Sequence, residues 1–118
     1  MPRVKRGSRR LKRRKKILRA TKGYWGTKSK LHRAAKEQNL RSLAYAYRDR
    51  RRKKRDFRRL WIARINAAVR AEGMTYSQFM YGLRKANVEV DRKVLSDLAI
   101  HNEKSFKSLL ETARSQIS

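Results

Sequence analysis

Cysteine is absent from the 118-residue sequence. That removes disulfide frameworks, thiolate zinc sites and thiol nucleophiles together. Acidic residues number only 9 against 35 Lys plus Arg, leaving a net charge of +26. So large an excess opposes compact folding by self-repulsion and calls for a polyanionic partner. No stretch approaches the roughly 18 uninterrupted apolar residues of a membrane span. The N-terminus is charged but has no apolar segment behind it, so a secretory signal is not expected. At about 100–200 residues per domain, the chain holds one compact domain plus an appendage.

The charge is unevenly placed. Residues 1–60 carry 26 basic residues against Glu37, Asp49 and Asp56, a net +23. Residues 61–118 carry 9 basic and 6 acidic residues, a net +3. This asymmetry predicts a polyanion-binding extension over 1–60 and a folding domain over 61–118.

Residues 1–22 offer only Leu11, Ile17 and Leu18 as sizeable apolar side chains beyond the extreme N-terminus. They bury too little to offset ordering entropy. The expectation is disorder or fraying when free, and a helix from about Ser8 to Ala20 when a partner neutralises it. The basic character runs far past the length of a mitochondrial presequence. Gly23 and Gly26 then punctuate the chain and permit unusual backbone angles. Thr27 is placed to cap a following helix.

From Thr27 to Glu72 there is no Pro and no Gly, and helix formers dominate. Leu31, Ala34, Ala35, Leu40, Leu43, Ala44 and Tyr47 recur at helical spacing, as do Phe57, Leu60, Trp61, Ile65, Ala68 and Val69. A single helix of this extent would run about 70 Å at 1.5 Å per residue. Gly73 fits its C-terminal stop. Three shorter helices follow. Thr75 with Gln78 forms a capping-box pattern ahead of Tyr76, Phe79, Met80 and Leu83. Asn87 ends that helix, and Asp91 caps the next, with Val94, Leu95, Leu98 and Ala99 as its apolar face. Asn102 ends this one and caps the last, whose face is Phe106, Leu109, Leu110, Ala113 and Ile117. No alternating run is long enough for a strand. The fold class is all-α: a long basic N-terminal helical extension, bent at 23–26, plus a small C-terminal helical domain.

Catalytic and cofactor signatures are missing. The two histidines, His32 and His101, are far apart in sequence, and no HExxH, CxxC, acidic calcium loop, GxxxxGK[ST] or GxGxxG occurs. Gly23–Gly26 matches a phosphate-clamping GxxG only in spelling, because that module needs strands. Asp49 and Asp56 lie seven apart among arginines, where they orient cations through short-range ion pairs. An enzyme, a cofactor and a metal are not expected.

The strongest signal is the run Arg48–Arg59, with seven Arg and two Lys. On a helix it places cations around the whole circumference, which suits insertion between nucleic-acid segments. Guanidinium groups make bidentate phosphate contacts and stack on exposed bases. Tyr24, Trp25, Tyr45, Tyr47 and Phe57 are interleaved with cations, and stacking on unpaired bases is a common mode of RNA recognition. The alternative for Tyr45, Tyr47 and Phe57 is packing on neighbouring helices. Trp61 falls in phase with Ile65 and Ala68 and reads as core. His32 reads either as an RNA contact or as a solvent-exposed residue. A membrane-active helix would need a broad apolar face opposite the cations, which 48–59 lack. A DNA-compacting role is disfavoured because no groove-reading periodicity or dimerisation heptad is evident, although composition alone leaves both nucleic acids open. The side chains expected to contact RNA are Arg3, Lys5, Arg6, Arg9, Arg10, Lys12, Arg13, Arg14, Lys15, Lys16, Lys22, Tyr24, Trp25, Lys28, Lys30, Arg33, Arg48, Arg50, Arg51, Arg52, Lys53, Lys54, Arg55, Arg58 and Arg59.

The stretch from Tyr45-Ala46-Tyr47-Arg48-Asp49-Arg50-Arg51 through Arg55-Asp56-Phe57-Arg58-Arg59-Leu60-Trp61-Ile62-Ala63-Arg64-Ile65-Asn66-Ala67-Ala68 resembles the hallmark of the bacterial large-subunit ribosomal protein L20 family. Met1-Pro2-Arg3-Val4-Lys5, Lys22-Gly23-Tyr24, Tyr76-Ser77-Gln78-Phe79 with Gly82-Leu83, and Val90-Asp91-Arg92-Lys93-Val94-Leu95 carry the resemblance across essentially the whole chain. It departs at Tyr81, where the family often has Asn, and at His32, where it often has an aromatic residue. The resemblance implies an all-helical fold whose basic extension threads ribosomal RNA. It implies a non-catalytic role in early large-subunit assembly, on ribosomes of a bacterial cytoplasm or of an organelle. Implied partners are large-subunit ribosomal RNA, neighbouring large-subunit proteins and, as in some members, the messenger of the protein's own operon, whose translation the globular domain represses.

Overall fold

The computed structural model describes Arg3 and residues 7–117. Its order is α1 (Arg9–Ala20), a 3-10 turn (Gly26–Ser29), α2 (His32–Ala71), α3 (Tyr76–Lys85), α4 (Arg92–His101) and α5 (Glu103–Ser115). No strand occurs among the described residues, so the fold is all-α. The chain forms two compact units, one ending at Arg51 and one beginning at Arg52.

In the first unit, Ser8 caps α1 by accepting the Leu11 N–H at 3.2 Å. No residue within α1 is buried. Just after the helix, Thr21 is fully buried, and its hydroxyl donates to the Ile17 carbonyl at 3.2 Å. Gly23 and Gly26 take φ of 85° and 64°. A Cβ would meet nothing at either position, so the requirement there is conformational and not steric. The Tyr24 hydroxyl donates to Ser42 Oγ at 3.0 Å and ties the bend to α2.

One expectation about this unit is corrected. The long helix begins at His32, not near Thr27, and Thr27 does not cap it. Left-handed Gly26 opens a 3-10 turn in which the Thr27 carbonyl accepts from both Lys30 and Leu31. The first regular α-helical bond is therefore Ala35 N–H to the Leu31 carbonyl. The apolar periodicity of 31–47 belongs to a helix, as expected, and does not mark a buried face. Only Ala35 is buried, while Leu31, Leu40 and Leu43 are exposed. The spacing there records helix, not core.

The second unit has one hydrophobic core. Ile65 and Val69 from the end of α2 meet Met74, Phe79 and Leu83 of α3 and its lead-in, Leu95 of α4, and Phe106, Leu110 and Ala113 of α5. Phe79 and Phe106 pack with ring centroids 5.5 Å apart, tilted 44°. Gly73, at φ 77°, closes α2 in a Schellman arrangement: Met74 N–H reaches the Val69 carbonyl and Gly73 N–H the Arg70 carbonyl. Asn87, at φ 53°, closes α3 the same way, through Val88 to Leu83 and Asn87 to Arg84. Thr75 and Gln78 form the full capping box. Asp91 caps α4, and Asn102 both ends α4 and caps α5 by accepting the Ser105 N–H.

Several apolar-face assignments in this unit do not hold. Val94 is 46% exposed; Leu95 and Leu98, one and four positions on, turn inward instead. Ile117 lies past the last helical residue and is exposed. Phe57 and Leu60 are exposed as well. Leu98 is half-buried at the edge of the core. Trp61 is half-buried but stands outside the core cluster, its ring 6.2 Å from that of Phe57. It precedes the first core residue, Ile65, by one helical turn.

Candidate nucleic-acid interface

Helix α2 carries its cations in the open. Every residue from Leu43 to Leu60 is exposed. Arg48, Arg50 and Arg51 belong to the first unit, and Arg52, Lys53, Lys54, Arg55, Arg58 and Arg59 to the second. Successive helical residues turn by about 100°, so this density leaves no uncharged side. The two carboxylates act locally. Arg48 Nε donates to Asp49 Oδ1 at 2.9 Å, and Arg52 Nε lies 3.9 Å from Asp56 Oδ2. The Asp49 contact pushes the Arg48 pKa further up, first through the hydrogen bond and then through charge. Both pairs are solvent-exposed and contribute little to stability. Their effect is to hold two guanidinium groups in place.

The aromatic side chains of this region are not packed on neighbouring helices. Tyr45 and Tyr47 are 52% and 56% exposed. Arg48 sits 4.9 Å from the centroid of Tyr45, and Arg51 sits 3.5 Å from that of Tyr47. Each pair presents a cation over a π face, a geometry that is worth most when desolvated. Lys53 lies 5.7 Å from the Phe57 ring. Trp25 is 91% exposed, whereas Tyr24 is half-buried through its bond to Ser42. The two neighbours that the sequence groups together therefore differ: Tyr24 holds the bend, and Trp25 offers a free ring.

The remaining expected contact residues are placed as follows. Arg3 is exposed. Arg9, Arg10, Lys12, Arg13, Arg14, Lys15 and Lys16 are all exposed on α1, and Lys22, Lys28, Lys30 and Arg33 are exposed around the bend and the start of α2. Lys5 and Arg6 lie outside the described residues. The structure brings Arg10, Arg13, Arg14 and Arg33 together around one cleft of about 470 Å³, joined by His32 and Lys36. Lys36 was not among the residues expected from sequence. Its position four residues after His32, on the same helical face, is the signal that could have found it.

Among the described residues no group of three or more His, Cys, Asp or Glu side chains converges as a metal site would require. No helix of the described residues is long and apolar enough to cross a membrane. Outside the cationic surface, ion pairs brace the second unit. Lys107 contacts Glu103 at 2.8 Å and Glu72 at 3.5 Å, and Arg92 Nε donates to the Tyr76 hydroxyl at 2.9 Å.

Comparison with protein families agrees with this geometry. The family described as ribosomal protein L20 matches residues 3–109. That span takes in the whole cationic surface, the bend, α2 and most of the helical core. Proteins of this family are structural constituents of the large ribosomal subunit. An all-α chain with an open cationic helix, matched over nearly its full length, belongs to the ribosomal protein L20 family.

Proposed function

We propose that this protein binds large-subunit ribosomal RNA directly and promotes early subunit assembly. It does so by neutralising phosphates and locking RNA tertiary contacts. The observation that carries this reading is the Arg48–Arg59 run, exposed at every position and balanced by only two carboxylates. Its nine cations far outnumber those two carboxylates, and a phosphate backbone supplies the missing counter-charge. In this reading residues 1–60 form the RNA-binding extension, and the cationic residues of α1, the bend and α2 make its contacts. Tyr45, Tyr47 and Trp25 are open to bases, and stacking there adds recognition that counterion release alone lacks. Residues 61–118 form the globular domain, which presents a less charged, shaped surface to one RNA junction or to a neighbouring large-subunit protein. The same domain would repress translation of the protein's own operon where the messenger reproduces that junction. The site of action is the ribosome.

The test is a salt series. The full chain is titrated against a large-subunit ribosomal RNA fragment and against a shuffled RNA of equal length. The expected result is two curves whose separation survives as salt rises. Curves that coincide at every salt concentration would overturn the reading, because counterion release alone would then account for all binding.

A further inference from the structure

We propose that the cleft between α1 and the first turn of α2 is a discrete site for two closely spaced phosphate groups, with the His32 ring as a further donor beside its cations. The inference deepens the RNA-binding reading and rests on it. The cleft has a volume of about 470 Å³ and is lined by Arg10, Arg13 and Arg14 of α1 with His32, Arg33 and Lys36 of α2. Positions 10, 13 and 14 share one helical face, as do 32, 33 and 36. Two helical faces therefore aim five cations at one volume. None of the five has an ion-pair partner among the described residues.

His32 makes this more than a patch of charge. Its Nε2 is buried and has no hydrogen-bond partner. An enclosed polar nitrogen without a partner is unfavourable, and the other side chains lining the cleft are all cationic and offer an N–H no acceptor. An anionic oxygen entering between the arginine side chains would accept from Nε2–H and from guanidinium groups at once. A single phosphodiester would balance only one of the five cations. Two phosphates held close together balance more, and forked guanidinium groups suit their oxygens. An RNA strand that doubles back on itself supplies such a pair, and so does a free diphosphate.

The experiment follows the two histidine ring signals of the full chain by NMR while pyrophosphate is added. It is run at salt well above physiological, where screening falls within about 8 Å. His101, exposed and hydrogen-bonded to Asp97 at 2.9 Å, is the internal reference. The expected result is a saturating shift of the His32 signal with His101 unmoved, and at least about tenfold weaker saturation with orthophosphate. His32→Ala leaves all five Arg and Lys side chains of the cleft in place, yet should weaken pyrophosphate about tenfold or more, as loss of a hydrogen bond to a charged group predicts. A His32 signal that moves only in step with His101, or that never saturates, would overturn the site. Equal affinity for orthophosphate would overturn the paired-phosphate claim. If the ribosomal RNA fragment shifts His32 and pyrophosphate competes with it, the source is the RNA backbone. If pyrophosphate saturates and RNA cannot displace it, the source is a free diphosphate. Failure of the chain to prefer the ribosomal fragment would count against the RNA reading alone, since the pyrophosphate titration stands without it.

Discussion

Replacing Gly82 with Ala should destabilise the second unit, against the direction that helix propensity dictates. A Cβ built on Gly82 would fall on the carbonyl oxygen of Ala113, 2.8 Å from its Cα and 2.9 Å from its carbonyl carbon. All three atoms are main chain of α5, so no side-chain rotation relieves the overlap and the helix itself must move. Overpacking a core costs about 1–3 kcal/mol where side chains can yield. A helix backbone yields less, which places this case near or above about 3 kcal/mol. At an unconstrained helical position the same change would stabilise by about 1 kcal/mol. The net expectation is a loss of about 2 kcal/mol or more. For a domain of this size that corresponds to a Tm lower by roughly 10–15 °C. The assay is thermal melting of the full chain at 222 nm, with amide exchange at Phe79 and Leu110 reporting on the core. Because the overlap is with main chain, Ala113→Gly should not rescue the variant. An unchanged or raised Tm, or rescue by Ala113→Gly, would refute the close approach of α3 and α5.

Three further outcomes are expected. Changing Arg50, Arg51, Arg52 and Arg55 together to Gln should weaken RNA binding and flatten its logarithmic salt slope by about 3, at roughly 0.7–0.9 per phosphate contact, while melting of the helical core stays put; a matching drop in Tm would make the run structural. Leu95→Ala, at a fully buried site, should cost about 2–5 kcal/mol in a denaturant titration, and Leu98→Ala, half-buried, clearly less; the reverse order would contradict the packing of α4. The Glu103 carboxyl is held below the usual glutamate value by its hydrogen bond to Lys107, then by that ammonium's charge, so its contribution is present above the ordinary value and is lost as pH falls through the depressed one. Glu103→Gln should therefore flatten the decline in Tm from about pH 5 downward, and an identical acid limb in both proteins would dismiss the contact.

Features governed by a few consecutive residues were mostly legible in the sequence, the start of α2 after Thr27 excepted. Ser8, Thr75 with Gln78, Asp91 and Asn102 announce helix starts because their side chains bond amides three residues on. Gly73 and Asn87 announce helix ends because both adopt left-handed angles. Features that need two distant segments were hidden. The periodicity of Leu31, Leu40 and Leu43 matches that of a buried face, and only the structure shows that all three are exposed. Val94 and Leu95 are equally apolar, and burial chooses between them through where α5 lies. Gly82 carries no mark of the backbone passing beside it. The same holds for the candidate interface. Its charge was legible by counting, and the freedom of Tyr45 and Tyr47 was one of two readings. The convergence of α1 with His32, Arg33 and Lys36 could not be read from residues some twenty positions apart.

Asn102 sets a limit on how this chain tolerates insertion and deletion. It is at once the C-cap of α4 and the N-cap of α5, at φ −141° and ψ 76°. The corner between α4 and α5 is thus made by one pair of dihedral angles, with no slack. Adding a single residue there would rotate α5 about its own axis by about 100° relative to α4. Phe106, Leu110 and Ala113 would turn away from Phe79 and Leu83, and the polar face of α5 would turn in. Length variation in related sequences should therefore be absent at this corner and collect in connections such as 86–90, where several residues share the turn.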